Sequence, residues 1–337
     1  MKKVAVVILN WNGEKLLKEF LPSVVRSIPN YAEIIIADNA SNDNSVNFLK
    51  ANYPQLKIIE NPSNGGFAKG YNEALKLVNH PYLVLLNSDI ETPNNWVEPV
   101  INFMESNLDI GAAMPKILQY KKKSHFEYAG AAGGFIDKWG YPFCRGRIFN
   151  ELEDDYGQYN NNIPVFWATG ACLFVRNEIF KNLNGFDEFF FAHMEEIDLC
   201  WRIQRAGFKI YAIGGSHVFH LGGGTLNKLS PRKTFLNFRN NLLLLIKNDV
   251  SKGFWFRLIQ KLILDGVAGS KFLLEGDFKH FFAILKAHFS FYLALPKYMR
   301  IRKKLKFKLK NNNITGIYTK SIIKSHFIQK KNCFSDL

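Results

Sequence analysis

Tyr82-Leu83-Val84-Leu85-Leu86-Asn87-Ser88-Asp89-Ile90-Glu91 is the stretch whose reading decides the fold. Tyr82 and the four apolar residues after it break sharply into Asn87-Ser88-Asp89. A short apolar run ending in a turn reads as a strand buried on both faces, as inside a parallel sheet. The turn after such a strand lies at its carboxyl end, where open α/β sheets bind ligands. An acid there is rigidly mounted yet reachable, which makes Asp89 a candidate metal-holding carboxylate. Alone, an Asp after a strand is more often a helix N-cap or a turn residue. The flanking sequence reverses that preference.

Upstream, Val4–Leu9, Glu33–Ala37 and Lys57–Glu60 are further strand runs. Between them, residues 14–27 carry apolar positions 16, 17, 20, 21, 24 and 25, a helical stripe, and 45–52 and 67–79 read as helices. Alternation of this kind predicts an α/β fold with a parallel, doubly wound sheet and right-handed crossovers. Three strand ends then present polar loops on one edge: Asn10–Gly13, Asp38–Asp43 and Asn87–Asp89. Converging loops suit a nucleotide, with Asn10, Asn12, Asp38 and Ser88 as candidate contacts and Asp89 for a phosphate-bound cation. A Gly-x-Gly-x-x-Gly turn after the first strand would mark a dinucleotide oxidoreductase, but Asn-Trp-Asn-Gly stands there, and no Walker A loop is present. The diphosphate therefore needs another counter-charge, and Asp89 with a divalent cation, Mg2+ or Mn2+, is the available means.

Asn61-Pro62-Ser63-Asn64-Gly65-Gly66 leads into the third helix. By itself this is a glycine-rich turn, but the glycines also allow backbone to approach an anion at a helix N-terminus. Asn64, Gly66, Lys69 and Asn72 would lie near that ligand. Farther along, Val165–Val175 returns the chain to a strand, with Gly170 permitting close packing beside a sugar. In Met194-Glu195-Glu196-Ile197-Asp198, three acids fall within four positions after an aromatic block. Acids at a helix start complement its dipole. Beside apolar neighbours, a desolvated carboxyl also has a raised pKa and suits a general base. His217 and His220 follow the strand at 209–213; a lone His is usually structural, while two in a glycine-rich turn leave metal ligation an even alternative.

Together, VVILNWNG, ADNASNDNS, NPSNGGFAKGYN and LLNSDIE resemble the inverting nucleotide-sugar glycosyltransferases of family 2, with a GT-A fold, and especially their rhamnosyltransferase-like branch. The likeness covers roughly residues 3–245. It implies that Asp38 contacts the nucleobase end and that Asp89 holds the metal on the diphosphate, with Asn87 in place of the motif's first Asp. It implies that His220 lies by the metal or diphosphate, while His217 matches nothing fixed. Glu196 corresponds to the general base, with Glu in place of the usual Asp; the longer side chain keeps Glu195 as the alternative. Asp198 and Arg202 would pair at i, i+4. The implied activity is transfer of a sugar, with inversion, from a nucleotide-diphosphate donor to a hydroxyl of a glycan or lipid-linked acceptor in cell-surface polysaccharide synthesis. A catalytically silent sugar-nucleotide-binding scaffold and, more remotely, a nucleotidyltransferase are the competing classes.

The remaining sequence bounds location. The chain has 337 residues, 47% of them hydrophobic, enough for a substantial core. Four scattered cysteines suit a reducing compartment, and the opening MKKVAVVILNWNG reads as a strand rather than a signal sequence. Residues 1–230 hold 22 Lys+Arg and 24 Asp+Glu, a net of −2, whereas residues 231–337 hold 22 and 5, a net of +17. Such a break implies a glycosyltransferase domain over 1–230 and a basic, amphipathic helical region over 231–337. Its helical runs are too interrupted by charge to span a bilayer. With KYMRIRKKLKFKLK they read as a peripheral anchor on anionic lipid at the cytoplasmic face of the plasma membrane. A nucleic-acid-reading motif is missing from this region, and a merely solvated basic tail is the bland alternative.

Overall fold

The computed structural model of the protein describes residues 2–222, 230–309 and 311–337. The glycine run after His220 and the last lysine of the basic run, Lys310, fall partly or wholly outside them. In the first half, strand and helix alternate as β1 (Val4–Asn10), α1 (Glu14–Ser27), β2 (Ala32–Asp38), α2 (Ser45–Asn52), β3 (Lys57–Glu60), α3 (Gly66–Leu75) and β4 (Tyr82–Asn87). The four strands pair in parallel in the order β3-β2-β1-β4. Leu83 through Leu86 are fully buried, as a strand covered on both faces requires. Short β5 (Ile90–Glu91), α4 (Glu98–Ser106) and β6 (Ile110–Gln119) follow.

Beyond β4 the sheet departs from the parallel arrangement expected. β6 ends on the same edge as β4, and the chain continues from there. Between residues 121 and 162, read from sequence as a long irregular loop, it builds β7 (Gly134–Asp137), β8 (Pro142–Cys144), β9 (Arg147–Ile148) and β10 (Glu151–Leu152) of a second sheet. β11 (Ile163–Val165) then leads to β12 (Cys172–Arg176), which starts from the carboxyl edge and so runs back antiparallel between β4 and β6. A parallel neighbour would need a crossover to the opposite edge, and none is made. After α5 (Asn177–Asn182) and α6 (Glu195–Arg205), β13 (Lys209–His220) lies parallel to β6 and runs well past the expected end at 213. The result is a mixed nine-stranded sheet flanked by helices.

The C-terminal third consists of α7 (Pro231–Asn248), α8 (Phe254–Leu274), α9 (Phe278–Lys308) and β14 (Ile317–Tyr318), which joins the second sheet beside β7. The core runs across the charge boundary at residue 230: Leu242 to Ile246 of α7 and Phe291, Ala294 and Tyr298 of α9 belong to the main hydrophobic cluster. Tyr298 donates to Asp187 at 3.0 Å. α8 is turned opposite to a simple amphipathic reading. Lys261 and Asp265 are 3% and 1% exposed and paired at 2.6 Å, while Ile259 and Ile263 are 55% and 57% exposed. His288 of α9 meets the same Asp265 at 3.3 Å, so the polar positions face inward and join the two helices. No helix among the described residues is long and apolar enough to cross a membrane.

Because α9 completes the core, Phe291→Ala should lower the unfolding free energy by about 3–5 kcal/mol, the usual cost of emptying a buried phenylalanine site. Urea denaturation measures this, and a loss below about 1 kcal/mol would show that α9 is not integral to the fold.

Candidate active site

Three buried side chains meet beyond the end of β4. Asp89 Oδ1 lies 3.1 Å from His220 Nε2, and His220 Nδ1 lies 3.0 Å from Glu127 Oε2. β13 brings His220 there: His220 pairs with Ile90 of β5, and Leu221 N donates to Asp89 O at 3.0 Å. Burial alone would push the imidazole pKa down, but Asp89 and Glu127 outweigh it and raise it to about 10. Burial likewise opposes ionisation of both acids, yet His220 holds each below its ordinary range. The two carboxylates thus favour a proton on each imidazole nitrogen, and a metal held at Nε2 would take the place of the proton there. Among the described residues, no three His, Cys, Asp or Glu side chains form a closed metal cage. Asp89 and His220 offer one oxygen and one nitrogen side by side, an open donor pair suited to a divalent cation shared with a ligand. Glu127, on the far imidazole nitrogen, would set the tautomer.

At the ends of β1 and β2 a second polar network forms. Asp38 is buried and accepts from Asn10 Nδ2 at 2.8 Å, Ser41 Oγ at 2.6 Å and Ser41 N at 2.9 Å. Asn10 Oδ1 is buried without a donor. Asn12, at φ 49°, accepts from Asn42 N at 2.7 Å and donates its own N–H to Ser41 Oγ at 2.9 Å, closing the two loops on each other. Asn39 extends the network to α3, donating to Asn64 Oδ1 at 2.9 Å and Gly66 O at 3.1 Å.

The acids at 195–198 occupy three different settings. Asp198 is fully buried and neutralised: burial works against its charge, but Arg202 and Lys247 hold it below its ordinary pKa. It accepts from Arg202 Nε at 2.8 Å, Lys247 Nζ at 2.9 Å and Asn248 Nδ2 at 2.8 Å. Glu195 is buried with no ion pair among the described residues, and burial plus the neighbouring Glu196 charge push its pKa well above the usual range. Glu196 is partly open, and burial raises it to about 7. Each glutamate has one oxygen without a hydrogen-bond partner among the described residues. Glu196 borders Gly170, where a Cβ would lie 3.1 Å from Phe67 Cζ and 3.7 Å from Glu196 Cβ. Gly170 in turn is placed by the β12–β4 pairing, with Asn87 N donating to Ala171 O at 3.0 Å.

Residues 5–183 match the sequence profile described as Glycosyl transferase family 2. The protein belongs to this family. Its relatives include the N-acetylglucosaminyl-diphospho-decaprenol L-rhamnosyltransferase of Mycobacterium tuberculosis, 25% identical over 64% of this chain and 75% of that protein. The rhamnosyltransferase WbbL of Escherichia coli is 24% identical over 64% of this chain and 83% of its own. Among solved structures, GalNAc-T7 with UDP, GalNAc and Mn2+ aligns at TM-score 0.57 and 17% identity, over 73% of this chain and 48% of that one. The mannosyltransferase PcManGT from Pyrobaculum calidifontis, in complex with GDP-Man and Mn2+, aligns at TM-score 0.52 and 13% identity, over 90% and 85%. At these identities the structural likeness is one of fold, and that fold is the GT-A type.

In this glycosyltransferase, most candidate residues read from the sequence gather on the carboxyl edge. Asn10, Asn12, Asp38, Ser88 and Asp89 sit at adjacent strand ends, with Gly170, Glu195 and Glu196 beyond β4. Lys69 makes no hydrogen bond or ion pair among the described residues. Asn72 is engaged elsewhere: its amide donates to Phe186 O and accepts from Phe186 N, both at 2.9 Å, which removes it as a free donor contact. Asn64 caps Gly66 N at 2.9 Å, so it shapes the loop from within. His217 packs edge-on against Phe219, away from the Asp89 pair. Glu127 and Asn39 were missed. An acid between Phe126 and Tyr128 is the one local signal that could have drawn attention to Glu127.

Gly66 has φ 79°, and a Cβ there would fall 2.7 Å from Phe191 O. Gly66→Ala should therefore cost about 1–3 kcal/mol through strained backbone alone. Urea denaturation of the purified protein reads this, and unchanged stability would mean the loop has another low-energy path.

Proposed function

We propose that this family 2 enzyme is an inverting glycosyltransferase. It moves a hexosyl or deoxyhexosyl group from a nucleotide-diphosphate donor to a hydroxyl of a glycan or lipid-linked glycan. The observation that carries the reading is the division of labour among buried acids on one sheet edge. Asp89 is kept ionised beside His220, while Glu196 is partly open, without an ion pair among the described residues, and raised to about 7 by burial. The first is suited to a cation and the second to a proton. The names of the rhamnosyltransferase relatives support a sugar-transfer role, and that of the mycobacterial one a lipid-diphosphate acceptor.

Asp89 and His220 would hold Mg2+ or Mn2+, with Glu127 orienting the imidazole. Held by these two side chains, such a cation would supply positive charge to offset that building on the departing diphosphate. The base and ribose would lie over Asn10, Asn12 and Asp38, and the sugar in the gap left by Gly170, with Ser88, Gly66 and Lys69 around the phosphates. Glu196 takes the proton of the acceptor hydroxyl as its oxygen bonds to the anomeric carbon. The bond from that carbon to the diphosphate breaks on the opposite face, so the configuration inverts in one displacement. Glu195, whose carboxyl pKa burial and the Glu196 charge hold well above the usual range, is the less suited of the two to act as the base.

The test is release of nucleoside diphosphate from a panel of nucleotide sugars, with and without Mg2+ or Mn2+. Glu196→Gln should keep donor binding and lose roughly two to four orders of magnitude in kcat, the usual worth of a general base. Since the base acts deprotonated and its pKa is near 7, kcat should rise with pH up to about 7 and then level. Asp89→Asn should abolish metal-dependent binding of the nucleoside diphosphate, read by calorimetry. Retained metal dependence in Asp89→Asn, or a larger loss in Glu195→Gln than in Glu196→Gln, would overturn these roles.

We place the enzyme on the cytoplasmic face of the plasma membrane as a peripheral protein, with residues 231–337 as the contacting region and no nucleic-acid partner. Trp255, Ile259 and Ile263 of α8 and Phe282, Phe289 and Leu293 of α9 are exposed apolar side chains, within a region of net charge +17. Each basic residue near anionic lipid adds on the order of 1 kcal/mol, and the apolar faces add burial. The full chain should sediment with phosphatidylserine-containing vesicles and be partly released by high salt. Ile263→Glu combined with Phe282→Glu should abolish sedimentation; binding equal to wild type would overturn this placement.

A further inference from the structure

Between the one-turn 3-10 helix Glu188–Phe190 and α6, the chain reverses through Phe191, Ala192, His193 and Met194. Three of these four have left-handed backbone, with φ of 65°, 68° and 72° at Phe191, His193 and Met194. None is glycine, and a Cβ disfavours this conformation. Such a turn persists only where its surroundings over-determine it. Met194 leads directly into Glu195 and Glu196, and both glutamates have an oxygen with no partner. The Glu196 carboxyl is held instead by the backbone N–H groups of Met194, Glu196 and Ile197, so its position follows the turn.

The restraint comes from α7. Asn240 is fully buried, and its Nδ2 donates to Phe190 O at 2.9 Å, Ala192 O at 3.0 Å and His193 O at 2.7 Å. An amide has two N–H groups, so three carbonyls share them. Which way the amide faces is set by its neighbour: Arg239 Nε donates to Asn240 Oδ1 at 2.9 Å, leaving the NH2 toward the turn. Arg239 Nη2 adds bonds to Phe189 O at 2.8 Å and Phe190 O at 3.2 Å. From the other side, Ala68 N of α3 donates to Phe191 O at 3.2 Å. Every carbonyl from Phe189 to His193 therefore accepts a hydrogen bond from another element.

We propose that Asn240 is a positioning residue for sugar transfer. Its amide, oriented by Arg239, holds the left-handed turn at 191–194 and through it the place of the Glu196 carboxyl. This rests on Glu196 being the general base. The site demands an amide and not only its volume, because a carboxylate of the same shape would turn an oxygen toward three carbonyls.

The experiment uses the full chain and the nucleotide sugar that turns over in the panel. Asn240→Asp and Asn240→Ala should lower kcat by roughly tenfold to a hundredfold, as expected when a reacting group is displaced by about 1 Å. Affinity for the matching nucleoside diphosphate with Mn2+ should stay within about twofold, since that site is on other strands. In a Glu196→Gln background, Asn240→Ala should add no more than about a twofold further loss, because the two act through one group. Should the Asn240 variants fail to fold, Arg239→Leu removes the orienting bond and should lower kcat by at least about threefold with nucleotide affinity unchanged. Unchanged kcat in Asn240→Asp or in a folded Arg239→Leu, or fully additive losses in the double variant, would overturn the proposal. Full turnover in Glu196→Gln alone would instead overturn the base assignment beneath it.

Discussion

The carboxyl end of β4 is held by chain arriving from two directions, and the site depends on those backbone pairings. From one side β12 pairs Cys172 with Leu86, and Ala171, next to Gly170, bonds Asn87. From the other, β13 pairs His220 with Ile90 and ties Leu221 to Asp89. Register matters here because strand side chains alternate faces. A slip of one residue in β13 would turn His220 away and leave Asp89 a buried carboxylate without a partner.

The same fold holds acids in three electrostatic states. Asp89 and Glu127 stay ionised because a shared histidine compensates for burial. Asp198 stays ionised because Arg202 and Lys247 reach it, and in doing so they join α6 to α7. Glu195 and Glu196 pair with no cation among the described residues, and burial makes them hold their protons more tightly. Desolvation acts on all five carboxyls; the presence or absence of a paired cation separates those kept ionised from those whose protons are held more tightly.

The C-terminal third is both core and surface. α7 and α9 place leucines and aromatics in the main cluster, while α8 and the outer side of α9 leave apolar side chains exposed. That exposure is possible because Lys261, Asp265 and His288 satisfy one another on the inner side of the hairpin. A buried ion pair of this kind adds little net stability and orients the two helices. The apolar outer face then continues into the basic run at the end of α9, a combination that fits an anionic lipid surface.

The alternating first half of the sheet was legible in the sequence, because each apolar run and helical stripe there is a local pattern with a local cause. So was the family, because its strings are recognisable. The pairing of Asp198 with Arg202 was legible for the same reason, one helical turn apart. The antiparallel insertion of β12 was settled only in three dimensions, since strand direction depends on which edge the chain starts from. Tertiary packing alone made residues 121–162 a second sheet, closed by β14 from the far end of the chain. It also brought Glu127 to His220 across 93 residues, spent the Asn72 amide on Phe186, and turned the charged positions of α8 inward. Each of these depends on which long-range partner a side chain meets, and sequence spacing does not carry that information.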